Sequence, residues 1–137
     1  MNKLLRSIKF IPLYGIYSIV FFFAAFGKFS SGKVPEWFLK QFSGTILDLF
    51  PGALALQFYS IAVCEAIAFL IFVTGLLRRE FLPSRDKVFL RAGLTLACFI
   101  FAILEIGLQM TRDLNTSAQV FCYFGFSLLI MSQLAEG

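Results

Sequence analysis

The chain has 137 residues, 59% of them hydrophobic and 15% charged, with a formal net charge of +4 and no histidine. Soluble domains average about 45–50% apolar and about 25% charged residues, so this chain is too apolar for disorder and too charge-poor for nucleic-acid binding. The missing histidine also excludes bis-His haem, His-ligated zinc and Ser-His-Asp catalysis. The length fits one domain, residues 1–137. In chain order, four apolar stretches stand out, at about residues 10–27, 53–77, 88–110 and 118–135. Each approaches the ~20 residues needed to cross a bilayer core. A soluble bundle would carry a charged face on every helix, and these stretches carry none. The expected fold is therefore all-α: a transmembrane four-helix bundle, multi-pass in the cytoplasmic (inner) membrane.

The first stretch follows Lys3, Arg6 and Lys9, and the second leads into Arg78, Arg79, Arg85 and Lys87, with Arg91 just beyond. Eight of the 12 cations thus fall on one side of a four-span layout, against Lys28, Lys33, Lys40 and Arg112 on the other. The positive-inside rule then places both termini in the cytoplasm. The basic balance reads as topology and attraction to lipid headgroups, with no nucleic-acid partner implied. A cleaved signal peptide is the rival for residues 3–27, but the apolar run is long and no A-x-A site follows it.

Between the first two spans, Val34-Pro35-Glu36-Trp37 resembles a helix start, with an early proline and an acid in the first turn. Phe38, Phe42, Ile46 and Leu49 follow on one stripe, and Pro51-Gly52 ends the run. The pattern predicts a short amphipathic interfacial helix anchored by Trp37. Before the fourth span, Asn115-Thr116-Ser117 matches a glycosylation sequon but is better read as a side-chain cap of that span.

Two acids interrupt the spans. Glu65 lies twelve residues from either end of the second stretch. An ionised carboxylate at midplane costs about 2.5–3.5 kcal/mol on insertion scales. A neutral Glu65 bonded to Tyr17, Ser18, Tyr123 or Ser127 is one reading, and a role in transport, ligand binding or proton movement is the other. Ala62 and Ala66 beside it allow close helix approach. Glu105, with Gln109 and Arg112 on its face, forms a polar stripe near the outer end of the third span. Lys28 ends the first span at the same expected height, so a Lys28–Glu105 or Arg112–Glu105 ion pair is anticipated. The sharper alternative is an outward-facing polar pocket of Lys28, Glu105, Gln109, Arg112 and Gln119, with Glu65 deeper. Cys64, Cys98 and Cys122 are scattered, without C-x-x-C, and read as small hydrophobes. No metal-ligand cluster or phosphate loop appears, and Gly93 with Ala97 reads as a packing pair.

Ala25-Phe26-Gly27-Lys28 closing the first span, and Glu65 followed by Gly75 in the second, resemble the signature positions of the DoxX-like family of small four-helix membrane proteins. The layout agrees over most of the chain. It departs at Phe69, a position that is often glycine, which places close packing and any cofactor crevice at that turn in question. The resemblance implies an accessory or interaction subunit of a membrane redox-related assembly, with Lys28 and Glu65 as functional positions. Quinone is the cofactor it allows, and none is evident otherwise. The chain is not expected to be an enzyme on its own. Its partners are the bilayer and either another membrane protein or further copies of itself. Two alternatives stand beside this: a small proton-coupled transporter using Glu65, and a quinone-interacting oxidoreductase subunit.

Overall fold

A computed structural model describes residues 2–135, and its regular elements are all helices, with no strand among the described residues. The helices are α1 (Asn2–Ile8), α2 (Phe10–Ser30), α3 (Glu36–Phe42), α4 (Ala53–Leu77), α5 (Val88–Thr111) and α6 (Leu114–Ala135). Four helical segments are long and apolar enough to cross a membrane: α1 running into α2, then α4, α5 and α6. The break between α1 and α2 has a local cause. Pro12 has no N–H to give to Ile8, four residues earlier, and its ring crowds that carbonyl, so α1 ends at Ile8 and Pro12 falls in the first turn of α2.

The expected second span matches α4 residue for residue. The third extends one residue further, to Thr111. The first continues three residues past Gly27, and the fourth begins four residues earlier, at Leu114. That early start reflects its cap. Asp113 accepts the backbone N–H of Thr116 at 3.3 Å through Oδ1, so the cap is Asp113 and not the Asn115-Thr116-Ser117 triplet, which lies inside α6. The connection after α2 also differs from expectation. Its helix stops at Phe42, where Ser43 turns extended and the Thr45 hydroxyl takes the Phe42 carbonyl at 2.7 Å. Phe38 and Phe42 face the bundle, while Ile46 and Leu49 are exposed beyond the helix.

Helix α2 packs along α4, α4 along α5 and α5 along α6. α6 meets α2 through the Tyr17–Ser127 hydrogen bond of 2.7 Å. The packing faces follow helical periodicity. Tyr14, Ser18, Phe21 and Ala25 bury one stripe of α2, and Phe58, Ala62, Glu65, Phe72 and Gly75 bury one stripe of α4. Aromatic rings fill the centre: Phe72 stacks on Tyr17 at 5.0 Å and on Phe21 at 6.1 Å, and Phe21 reaches Phe101 at 5.8 Å. Outside, residues such as Ile16, Phe23, Leu70, Ile103 and Leu129 stand exposed in a continuous apolar exterior suited to hydrocarbon.

Two glycines let this core close. A Cβ on Gly93 would lie 2.8–3.0 Å from the Phe72 ring, so the bare glycine at 93 seats that aromatic. A Cβ on Gly75 would lie 2.7 Å from the Tyr14 ring and 3.0 Å from Phe89 Cβ. Tyr14 is fully buried and cannot swing away. Gly75→Ala is therefore expected to destabilise by about 1–3 kcal/mol through overpacking, read as a lowered unfolding midpoint in detergent. Phe69, by contrast, is accommodated on the outer side of the α2–α4 contact, its ring 5.3 Å from Phe22.

Candidate functional site

The buried stripe of α2 continues one step past Ala25 to Lys28, so its side chain points back along the helix into the bundle. There it meets Glu65. Lys28 Nζ donates to Glu65 Oε2 at 2.8 Å and to Oε1 at 3.0 Å, with a longer bond of 3.5 Å to the Ala24 carbonyl. Glu65 is only 3% exposed, and the Lys28 side chain 23%. This is the one salt bridge among the described residues. The arrangement corrects the sequence reading twice. Lys28 pairs with Glu65 and not with Glu105, and none of the four hydroxyls anticipated for Glu65 reaches it. Tyr17 and Ser127 bond each other, the Ser18 hydroxyl is buried without a partner, and Tyr123 is half exposed. A lone charge is costly in such surroundings, and the Lys28 ammonium at 2.8 Å supplies the counter-charge.

Glu105 forms a separate cluster on α5 and α6. Its Oε1 accepts from Ser117 Oγ and from Gln109 Nε2, the latter at 2.9 Å, while Oε2 is buried without a partner. Gln109 also reaches Ser117 at 2.7 Å. Arg112 closes α5 in a left-handed conformation with its side chain exposed, and it forms no ion pair with Glu105. Gln119 is likewise exposed. The expected outward pocket of Lys28, Glu105, Gln109, Arg112 and Gln119 therefore resolves into a Lys28–Glu65 pair and a Glu105–Gln109–Ser117 network.

A cavity of about 580 Å³ does open at this end, in a different place. It lies between the ends of α2 and α5 and the start of α6, beneath α3, and Lys28 forms part of its wall. Phe38 and Phe42 of α3 and Phe58 of α4 line it, with ring separations of 4.7 Å (Phe38–Phe42) and 5.0 Å (Phe38–Phe58). Gln41 and Gln57 pin the cover: Gln41 Nε2 donates to Thr111 Oγ1 at 3.0 Å, and Gln57 Nε2 donates to the Leu47 carbonyl at 2.8 Å. These amides went unread in the sequence, where only the apolar stripe of the connection was legible.

Glu80 was missed altogether. It sits at the opposite end of the bundle, 5% exposed, in the connection between α4 and α5. Its carboxylate accepts the N–H groups of Phe89 and Leu90 at 3.1 and 3.2 Å and the Tyr14 hydroxyl at 3.0 Å. It thus caps α5 from eight residues before the helix begins and ties α2 to the same point. The arginine-rich run around it gave no sign of an inward-facing acid.

The three cysteines are free, Cys64 and Cys98 half-buried and Cys122 exposed. Among the described residues no acidic or cysteine cluster could hold a metal ion. No protein-family model, curated protein or solved structure matches the chain.

Proposed function

We propose that this chain is a DoxX-like accessory subunit of a redox-related assembly in the cytoplasmic membrane, crossing it four times with both termini inside. The observation that carries this reading is the Lys28–Glu65 pair, because it joins in space the two positions on which the family resemblance rests. The excess of cations at the α1 end and in the α4–α5 connection supports the orientation, and Trp37, exposed on α3, suits an interfacial anchor. An accessory role asks for a fixed, lipid-embedded scaffold, and the pair supplies a buried polar joint between α2 and α4.

The test is capture of the full chain from its native membranes in mild detergent. A stable, non-identical membrane protein should co-purify with the wild type and be reduced with Glu65→Gln. Recovery of the chain alone, together with proton flux in proteoliposomes that Glu65→Gln abolishes, would replace this reading with the transporter one.

A further inference from the structure

A second cleft lies at the opposite end of the bundle, in the connection between α4 and α5. It encloses about 310 Å³ and is lined by Arg78, Glu80, Ser84, Arg85 and Asp86. Glu80 does not neutralise the two arginines. Its carboxylate is turned inward, onto Tyr14 and the first N–H groups of α5, where the positive end of that helix offsets its charge. Among the described residues, Arg78, Arg85 and Asp86 form no salt bridge, and all three are exposed.

The frame around the arginines is built by other residues. Lys87 Nζ donates to the Glu80 and Arg85 carbonyls at 3.3 and 3.4 Å and lies 4.9 Å from the Phe10 ring. It ties the two walls of the cleft together. The Arg78 guanidinium lies over the Phe89 ring at 5.1 Å, so its face is occupied while its N–H edges are left for an acceptor.

Position and charge then narrow the ligand. Leu77 is 76% exposed at the last turn of α4, and Arg78 follows it directly, so the cleft begins where the apolar exterior stops. For a membrane-spanning helix that is headgroup height. Guanidinium forks suit phosphate oxygens, and the Ser84 hydroxyl on the same wall adds a donor. Arg78 and Arg85 supply two positive charges and Asp86 one negative, leaving a net +1. That balance matches a singly charged phosphodiester better than a doubly charged phosphomonoester, which Asp86 would repel. We propose that this cleft seats the phosphodiester of an anionic phospholipid with an uncharged head, its phosphate oxygens on Arg78, Arg85 and Ser84.

The test is native mass spectrometry of the full chain released from detergent, titrated with phosphatidylglycerol, phosphatidylcholine, phosphatidylethanolamine and phosphatidic acid of identical acyl chains. One phosphatidylglycerol per chain should bind about tenfold more tightly than each of the others. Arg78→Gln/Arg85→Gln should erase that preference. Lys3→Gln/Lys9→Gln removes the same two charges from the same end of the bundle, outside the cleft, and should leave it intact. Ser84→Ala should weaken binding by about fivefold. Asp86→Asn should instead strengthen the binding of phosphatidic acid, a gain that misfolding cannot produce.

Equal binding of phosphatidylglycerol and phosphatidylcholine would overturn the proposal, as would an equal loss of preference in the two double variants. Phosphatidic acid or phosphatidylethanolamine bound as tightly as phosphatidylglycerol would contradict the charge match. Displacement of the lipid by inorganic phosphate at equal concentration would assign the cleft to free phosphate and overturn the lipid. Failure of partner capture leaves all these outcomes unchanged, so the two proposals fall separately.

Discussion

Glu65→Gln is expected to lower the stability of the bundle by about 3 kcal/mol or more, because it leaves the Lys28 ammonium in the bundle without its counter-charge. Lys28→Met should cost a similar amount by stranding the carboxylate. The double variant should regain most of the loss, since replacing both members of a buried pair with well-packed neutral groups is often neutral or better. Neutral polar contacts between transmembrane helices average only about 0.6 kcal/mol in measured cycles. A single-variant loss several times larger therefore distinguishes an ion pair from an ordinary interhelical hydrogen bond. Reversible unfolding in mixed micelles, compared across the four proteins of the cycle, checks it.

Glu80→Ala should be of comparable severity and act at the other end of the molecule. It leaves the Tyr14 hydroxyl and the N–H groups of Phe89 and Leu90 without their acceptor. Each buried unsatisfied group costs about 1–3 kcal/mol, so a combined loss of about 3 kcal/mol or more is expected. Hydrogen exchange at the Phe89 and Leu90 amides should accelerate ahead of the rest of α5. The comparison is Glu36→Ala, an exposed acid in the first turn of α3, which should change stability by no more than about 0.5 kcal/mol. Equal effects of the two substitutions would contradict the capping role of Glu80.

The contrast between Glu65 and Glu80 shows what local pattern can and cannot carry. An acid inside an apolar run is conspicuous because of its solvation cost, and Glu65 was singled out for that reason. Glu80 lies among arginines, where an acid looks solvated, and its partners stand 9, 10 and 66 residues away. The span of α4 was legible to the residue because Pro51-Gly52 and the arginines at 78 and 79 bound it sharply. The helix after α2 was overextended because its apolar stripe continues to Leu49, whereas Ser43 and Thr45 end the hydrogen-bond ladder.

The partner of Lys28 was misread for a geometric reason. Treating the ends of α2 and α5 as level placed Lys28 beside Glu105. In the structure α2 stops lower along α4, and the vacant height is filled by α3, whose Phe38 packs on Phe58 at 5.0 Å. Helical register held the missing signal: Tyr14, Ser18, Phe21, Ala25 and Lys28 share one face, and Glu65 lies on the buried face of α4. Height within a bundle depends on how the connections fold, which a span-by-span reading does not contain.

The direct measurement is the infrared difference spectrum between the wild-type protein and Glu65→Gln, both reconstituted in lipid at neutral pH. An ion pair with Lys28 predicts loss of a carboxylate stretching band in the variant, with that band perturbed in Lys28→Met. Loss of a protonated carboxyl C=O band instead, unaffected by Lys28→Met, would show a neutral Glu65 independent of Lys28 and would contradict the account.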